Sequence, residues 1–574
     1  MKKTIKKSRI GAFLMAAALT ATFGLSACGD EEVVTGDVLD VAIINYGGGV
    51  GEEWLKKAAE RFEDLNENTD YGNGYVGVEI TDNILSQQGI STATMPTDAY
   101  NIYFLEGGSS VSSLAQQGFL LDITDIVTTP LTEYGEDVTI ESKISENYRI
   151  MEKGNDGNYY GVPHYEFYPG ISYDIDMFTS SNLYFADSGV TNYTSKFGNA
   201  RFVASATEKK SCGPDGVYDT VDDGLPSSLV ELLILCSKMS SATIKPFGLS
   251  GKYHQYSNHL VAALWASIAG YEQMQTCYTF NGTIDAVVGY TNENLFPGVD
   301  YIKKPIVEEV KVTPETGYKI WDMAARYYAT AILEIIDTEG WFSTTAFRGS
   351  SHTEEQKYFI FSGSRLNGVE MEKIGMLIEG NYWYNESLTS GNFEDYYAIS
   401  ATTERNIGWM SLPNSVDTSV TAGNGKKAVL IETALSNAFI NGNIKDNESL
   451  VKACKDFLRF LYTDEELAAF TACTGVAKAV NYELGDKETE LDAFQKTVWS
   501  AKMNNVVLYA GADNQTFLNS VGTFKLNAAA TVFVYTSDKN YLDPIHNRNV
   551  TTKDIFETTK FTEAKWSTVY RGNE

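Results

Sequence analysis

Apolar positions in the first part of the chain switch between short continuous runs and a helical period. Residues 38–46 (VLDVAIINY) form a run of buried-strand length that stops at Gly47-Gly48-Gly49. Trp54, Leu55, Ala58, Phe62 and Leu65 then recur at helical spacing, behind Glu52 and Glu53, whose charge suits a helix N-terminus. Residues 76–80 predict the next strand. Strand, helix, strand is a βαβ opening, and it predicts a parallel sheet with helices on its faces. Residues 99–105 (AYNIYFL) predict a further strand ending at Glu106-Gly107-Gly108, followed by a short helix over 111–117.

The pattern thins after Phe178. Residues 179–226 are polar and rich in Gly and Asp, and they read as a loop insertion. Helical periods return over 227–240, 255–269 and 316–337, and 374–378 reads as a strand that stops at Glu379-Gly380. Leu450, Cys454, Phe457, Leu458 and Leu461 share one helical face, and Thr463 to Glu466 has the form of a capping box opening a second helix. Residues 486–574 mix helical and polar segments. There is no internal repeat and no low-complexity linker that would split the chain into independent domains.

The N-terminus changes the picture. Lys2, Lys3, Lys6, Lys7 and Arg9 precede a small, apolar stretch that ends in Leu25-Ser26-Ala27-Cys28. This reads as a signal peptide, and the tetrapeptide resembles a bacterial lipobox, which would make Cys28 the lipidated first residue of the mature chain. Acyl chains would then hold the protein at a membrane without a spanning helix. The formal net charge is −30, and the leader carries five basic and no acidic residues, so the remainder is more acidic still. Such a surface repels phosphate backbones and argues against nucleic acid as a partner. Beyond Cys28 five cysteines remain, Cys212, Cys236, Cys277, Cys454 and Cys473, an odd number without the spacing of a disulfide framework. The 35 tyrosines offer flat apolar faces with a hydroxyl, which suit hydroxylated ligands.

Several landmarks, in order, resemble the family 1 extracellular solute-binding proteins, the group that includes maltose-binding protein. They are Tyr46-Gly47-Gly48-Gly49 with Glu53-Trp54 and Phe62; Leu114-Ala115 with Gly118 to Thr124; Gly157 to Pro163; and Tyr173 to Phe178, where Asp174 replaces the family's usual Asn. Gly375 to Tyr382 follows, with Tyr at the family's Trp position and Trp383 beside it, then Gly408 to Pro413 and the helix pair closing at Thr474-Gly475. The resemblance covers about residues 38–480; the 179–226 insertion and the long C-terminal part exceed a minimal member. It implies an α/β, two-lobed clamp of the periplasmic-binding-protein type II. Each lobe would be a mixed, mostly parallel sheet flanked by helices, with ligand between the lobes. The implied organisation is a signal peptide (1–27), a tether (28–37), lobe 1 from 38–163 and 413–480, and lobe 2 from 164–412. Residues 481–574 would be helical and belong mainly to lobe 2. The implied function is delivery of a carbohydrate, an oligosaccharide given the long chain and its many aromatics, to the membrane subunits of an ABC importer, by a monomer on the extracytoplasmic face of the cell membrane.

A sugar needs aromatic faces for its C–H surfaces and carboxylates or amides for its hydroxyls, at strand ends facing the other lobe. The candidates are Asn45 and Tyr46 after the first strand, Glu106 after AYNIYFL, and His164, Tyr165 and Glu166 after the first hinge crossing. Tyr382, Trp383 and Tyr384 follow the Glu-Gly turn, and Trp341 and Trp409 complete the set. Trp54, on the apolar helical face, is expected in the core. Asp215, Asp219, Asp222 and Asp223 lie in a glycine-containing loop that could wrap a structural Ca²⁺, although the spacing is not that of an EF-hand; no cofactor is required. No GxGxxG, GxSxG, Walker A or HExxH motif occurs, and no enzymatic activity is expected. Two other classes stay open: a surface-anchored glycan hydrolase using paired carboxylates, and a binding protein for a non-sugar solute such as a polyamine or peptide.

Overall fold

In the computed structural model of the chain, residues 36–85, 93–106, 111–146, 148–400, 404–417, 427–509, 540–548 and 550–569 are described. Cys28 and nearly all of the 28–37 segment lie outside them. Among the described residues, no helix is long and apolar enough to cross a membrane.

The apolar run after the tether forms the strand Asp37–Tyr46, and Tyr75–Leu85 and Ile102–Leu105 pair with it in parallel on either side. The helix Glu53–Leu65 covers this sheet with Trp54, Leu55, Ala58, Ala59 and Phe62 buried. Trp54 meets Phe104 and Phe470 edge-on, with ring centroids 5.3 and 5.1 Å apart. Each large apolar side chain so buried contributes about 1.5–3 kcal/mol. The full sheet has six strands in the order Asp70–Gly72, Tyr75–Leu85, Asp37–Tyr46, Ile102–Leu105, Asn437–Ile440 and Val162–Pro163. Asn437–Ile440 returns from far along the chain and lies antiparallel to both its neighbours. The helix pair follows it. Glu448–Leu461 and Asp464–Thr474 pack on the same lobe; Thr463 caps the second by accepting from Glu466 N, and Gly475 ends it in the left-handed conformation.

The second lobe is built on a four-stranded sheet in the order Ile407–Trp409, Pro169–Asp174, Ile374–Gly380 and Lys245–Gly248. The helices Leu229–Ser241, Ser257–Ala269 and Ala324–Thr338 form its core. The helical period at 316–337 is broken at Met323, so a 3₁₀ turn, Pro314–Asp322, precedes the last of these helices. The segments Leu542–His546, Thr552–Thr558 and Glu563–Val569 join this lobe. Arg326, fully buried, donates to Phe556 O and Thr559 Oγ1 (both 2.7 Å), and Trp566 Nε1 donates to Pro314 O (2.7 Å).

Residues 179–226 are not a loop lying on the surface. Leu183, Tyr184, Phe185, Phe197, Phe202, Val203 and Leu225 enter the core of the second lobe, and Phe185 stacks on Phe202 at 4.5 Å. Few apolar residues among many polar ones suffice because the anchors are large. The aspartates of the 213–224 loop take part in local turns. Asp215 accepts from Val217 N (2.7 Å), Asp222 from Asp215 N and Thr220 Oγ1 (3.2 and 2.7 Å), and Asp223 from Asp219 N (3.0 Å). Among the described residues no group of three or more His, Cys, Asp or Glu is placed to hold a metal, so the expected Ca²⁺ wrapping by Asp215, Asp219, Asp222 and Asp223 is replaced by turn closure. Cys212, Cys236, Cys277, Cys454 and Cys473 are all free.

Among the described residues three stretches connect the lobes, and they lie side by side. His164 N donates to Ser436 O (2.8 Å), Thr433 N to Phe167 O (2.9 Å), and Glu166 N to Ala477 O (3.1 Å). Tyr165 and Lys478 form an antiparallel bridge. A short parallel pair, Val429–Ile431 with Val506–Leu508, continues this belt into the second lobe.

Candidate functional site

The carboxyl ends of three sheet strands face a cavity of about 260 Å³ between the lobes, lined by Tyr46, Gly48, Gly49, Glu106, Phe167, Tyr256, His352, Tyr382, Glu386 and Thr433. Tyr46 and Glu106 enter from the first lobe, at the ends of Asp37–Tyr46 and Ile102–Leu105. Tyr382 and Glu386 enter from the second, one helical turn apart around the start of Trp383–Thr389. The cavity lies at the small end of ligand pockets.

Its walls are held by close backbone approach. The Tyr46 ring folds over Gly48, where a Cβ would sit 2.2 Å from the phenol oxygen. Gly49 has φ +73°, and a Cβ there would lie 2.6 Å from the Phe167 ring and 2.9 Å from Tyr382 Cβ. Only glycine meets both demands. Across the cleft, Asn385 Nδ2 donates to Gly49 O at 2.8 Å, a direct bond between the lobes. Asn45 braces the same turn by donating to Gly51 O (3.2 Å) and does not line the cavity.

The electrostatics are those of acids held away from water. Tyr165 OH donates to Glu106 Oε2 at 2.9 Å. Glu386 accepts from Gln356 Nε2 at 3.0 Å, and burial pushes its carboxyl up to about 7. Behind Tyr382, Glu379 accepts from the Tyr382 hydroxyl (3.1 Å), and burial together with Glu386 raises it well above the usual range. The Tyr46 phenol is raised by burial and then by Glu106 and Glu386. Burial and Lys252 lower His352, so its imidazole is neutral near pH 7.

Of the residues picked out by sequence, Tyr46, Glu106 and Tyr382 reach this cavity and the others do not. Tyr165 stands behind Glu106 as its donor. His164 is fully buried among Trp54, Phe104 and Phe470, with Nδ1 2.6 Å from Lys478 Nζ. Glu166 is buried in the belt between the lobes, where Lys502 and the phenols of Tyr168 and Tyr509 surround it. Trp383 has no exposed surface and donates from Nε1 to Ser172 Oγ at 2.7 Å. Tyr384 stacks on Phe494 at 4.5 Å, Trp341 packs on Phe197, and Trp409 covers Gly170. These four aromatics are core because their chain positions turn them into the second lobe's packing. The sequence reading missed Phe167, Tyr256, His352, Glu386 and Thr433. Glu386 had a signal: it lies four residues after Tyr382, the spacing that places two side chains on one helical face.

No protein-family model matches this sequence, and no curated protein matches it. Solved structures do. A chitin oligosaccharide binding protein is 15% identical over 94% of this chain and 100% of its own, with a TM-score of 0.52. A protein from a structural study of xylan utilization by Caldanaerobius polysaccharolyticus is 12% identical over 91% of this chain and 99% of its own (TM-score 0.51). A binding protein of an ABC transporter from Bifidobacterium animalis subsp. lactis, solved with mannobiose, is 13% identical over 94% and 97% (TM-score 0.50). At this level of identity the likeness establishes the architecture: this chain folds as the two-lobed α/β clamp of solute-binding proteins.

Proposed function

We propose that this chain is a non-catalytic binding component that captures a carbohydrate for an ABC importer and is held at the membrane by lipid on Cys28. The observation that carries the reading is the cavity between the lobes, where Tyr46, Phe167, Tyr256 and Tyr382 supply ring faces and Glu106 and Glu386 supply acceptors. Rings stack on the C–H faces of a sugar while carboxylates take its hydroxyls, and contacts from both lobes favour the closed clamp over the open one. Three neighbours of like fold come from chitin-oligosaccharide, xylan and mannobiose work, which is consistent with an oligosaccharide. The membrane subunits of the importer would read the closed form.

The test is a thermal-melt and tryptophan-fluorescence titration of the protein against mono- and oligosaccharides, with product analysis alongside. A saturable shift with one sugar class and no cleavage product is expected; at 100 times the dissociation constant the ligand adds about 2.7 kcal/mol of stability. Cleavage products would make the chain a hydrolase instead. Silence toward every sugar with a response to peptides would remove the carbohydrate reading. For the anchor, Cys28→Ala should release the protein from the membrane fraction, and retention of the variant there would remove lipidation.

A further inference from the structure

The cleft is unusual in the balance of its polar groups. Among the described residues, its lining contains two carboxylates, Glu106 and Glu386, and neither a lysine, an arginine, an asparagine nor a glutamine. A neutral sugar hydroxyl both donates and accepts, so a wall for neutral sugars is well served by amides and cations mixed with acids. This wall is weighted to acceptors. Asn385 spends its Nδ2 on Gly49 O, Gln356 spends its Nε2 on Glu386, and Thr433 Oγ1 donates to Phe167 O at 3.1 Å. His352 is neutral, and Lys252, which lowers it, is solvent-exposed and outside the lining.

A third carboxylate strengthens the imbalance. Glu379 is 2% exposed directly behind Tyr382, and it accepts from neutral donors, Tyr382 OH and Gly380 N. Among the described residues neither Glu379 nor Glu386 joins any ion pair, while the buried Glu166 in the belt has Lys502. Four aromatic residues, Tyr46, Phe167, Tyr256 and Tyr382, surround the same space, and their ring faces attract a cation as well as a sugar face. An ammonium group only donates, carries the missing charge, and suits both the acids and the rings.

We infer that the cleft selects a saccharide bearing a protonated amine, an amino sugar or a short oligosaccharide of amino sugars, with the ammonium seated at Glu386 between the rings of Tyr46 and Tyr382. The inference rests on the carbohydrate reading and narrows it. Tyr46 and Tyr382 supply the stacking face, Glu386 accepts from the ammonium, and Glu106 takes a hydroxyl from the opposite lobe. Glu379 acts through Tyr382 as a positioning residue.

The experiment is calorimetric titration of the full chain at pH 7 and constant ionic strength with three matched sets. These are de-acetylated chitosan dimer and trimer, their fully N-acetylated counterparts, and cellobiose with cellotriose. The aminated set is expected to bind at least about 30-fold tighter than either neutral set, with affinity that falls as salt rises. Glu386→Gln should weaken the aminated ligand by about 10-fold or more and neutral sugars by a clearly smaller factor. Glu379→Gln, with circular dichroism and melting to confirm folding, should weaken the aminated ligand by a smaller factor. Neutral sugars binding as tightly as aminated ones, or Glu386→Gln weakening both alike, would overturn the amine selection and leave the carbohydrate reading standing. Binding of spermidine with no response to any saccharide would overturn both.

Discussion

Two of the regions that bury carboxylates treat them in opposite ways. In the belt between the lobes, Glu166 has no exposed surface and is met by the Lys502 ammonium and two phenols. In the cleft, among the described residues, Glu379 and Glu386 meet only neutral donors, Gly380 N, Tyr382 and Gln356. A buried charge is costly unless it is compensated nearby. The belt gives Glu166 its compensation internally, and that acid is structural. The cleft leaves the negative charge for something outside the chain, and that separates a bearing from a binding surface.

Lys502 is where the belt depends most on its internal cation. Lys502→Met leaves Glu166 buried without its cation, and chemical denaturation should show a loss of about 3–5 kcal/mol. The double variant Glu166→Gln/Lys502→Met should recover much of it. A variant Lys502→Met as stable as the parent would mean that Glu166 is held by the phenols alone.

The cleft should show the reverse behaviour, through pH. Glu386 stands at about 7 in the folded chain and near 4.3 unfolded, so between those values the folded state holds more protons than the unfolded one. Stability without ligand therefore falls as pH rises from about 4.5 to 7, by on the order of 2–3 kcal/mol from this group. Glu432, raised to about 8 by burial and then by Glu166, extends the fall to higher pH. Glu386→Gln should flatten the melting-temperature profile between pH 5 and 7. An unchanged slope in that variant would remove Glu386 as the cause.

Trp383→Phe removes the donor to Ser172 in a buried site, and about 1–3 kcal/mol of stability should go with it while ligand affinity stays within twofold. Affinity loss instead of stability loss would move Trp383 into the cleft. The smallest effect is expected from Asn385→Ala, which removes the 2.8 Å bond across the cleft. A net hydrogen bond of about 0.5–1.5 kcal/mol corresponds to an affinity loss of roughly two- to tenfold, with the melting temperature little changed.

These contrasts also mark what the sequence could and could not reveal. Strand ends were legible, because a run of apolar residues halted by glycine fixes where a sheet stops, and Tyr46 and Glu106 follow from that. Tyr382 and Trp383 were not separable, since neighbours on a helix point about 100° apart and nothing local says which way the cleft lies. Glu166 and His164 were read as cleft groups because they follow the crossing at Pro163. Burial between Lys502 and Lys478, some three hundred residues later, was invisible. Tyr256 and His352 reach the cavity only through tertiary packing of separate helices. The insertion at 179–226 misled for a different reason: average polarity hid Phe185, Phe197 and Phe202, which do the anchoring.

The buried Arg326 has a bearing on the order in which the molecule can be made. Its guanidinium sits in the helix Ala324–Thr338, yet two of its acceptors, Phe556 O and Thr559 Oγ1, come from the last twenty residues of the chain. Until those residues emerge, that helix carries a cation with nowhere dry to go. The second lobe therefore cannot reach its final packing during synthesis or export of the first 540 residues, whereas the strands of 37–105 contact one another early. A chain stopped short of Thr551 should leave the second lobe a substrate for proteases, cut in pulse digestion within the helix Ala324–Thr338.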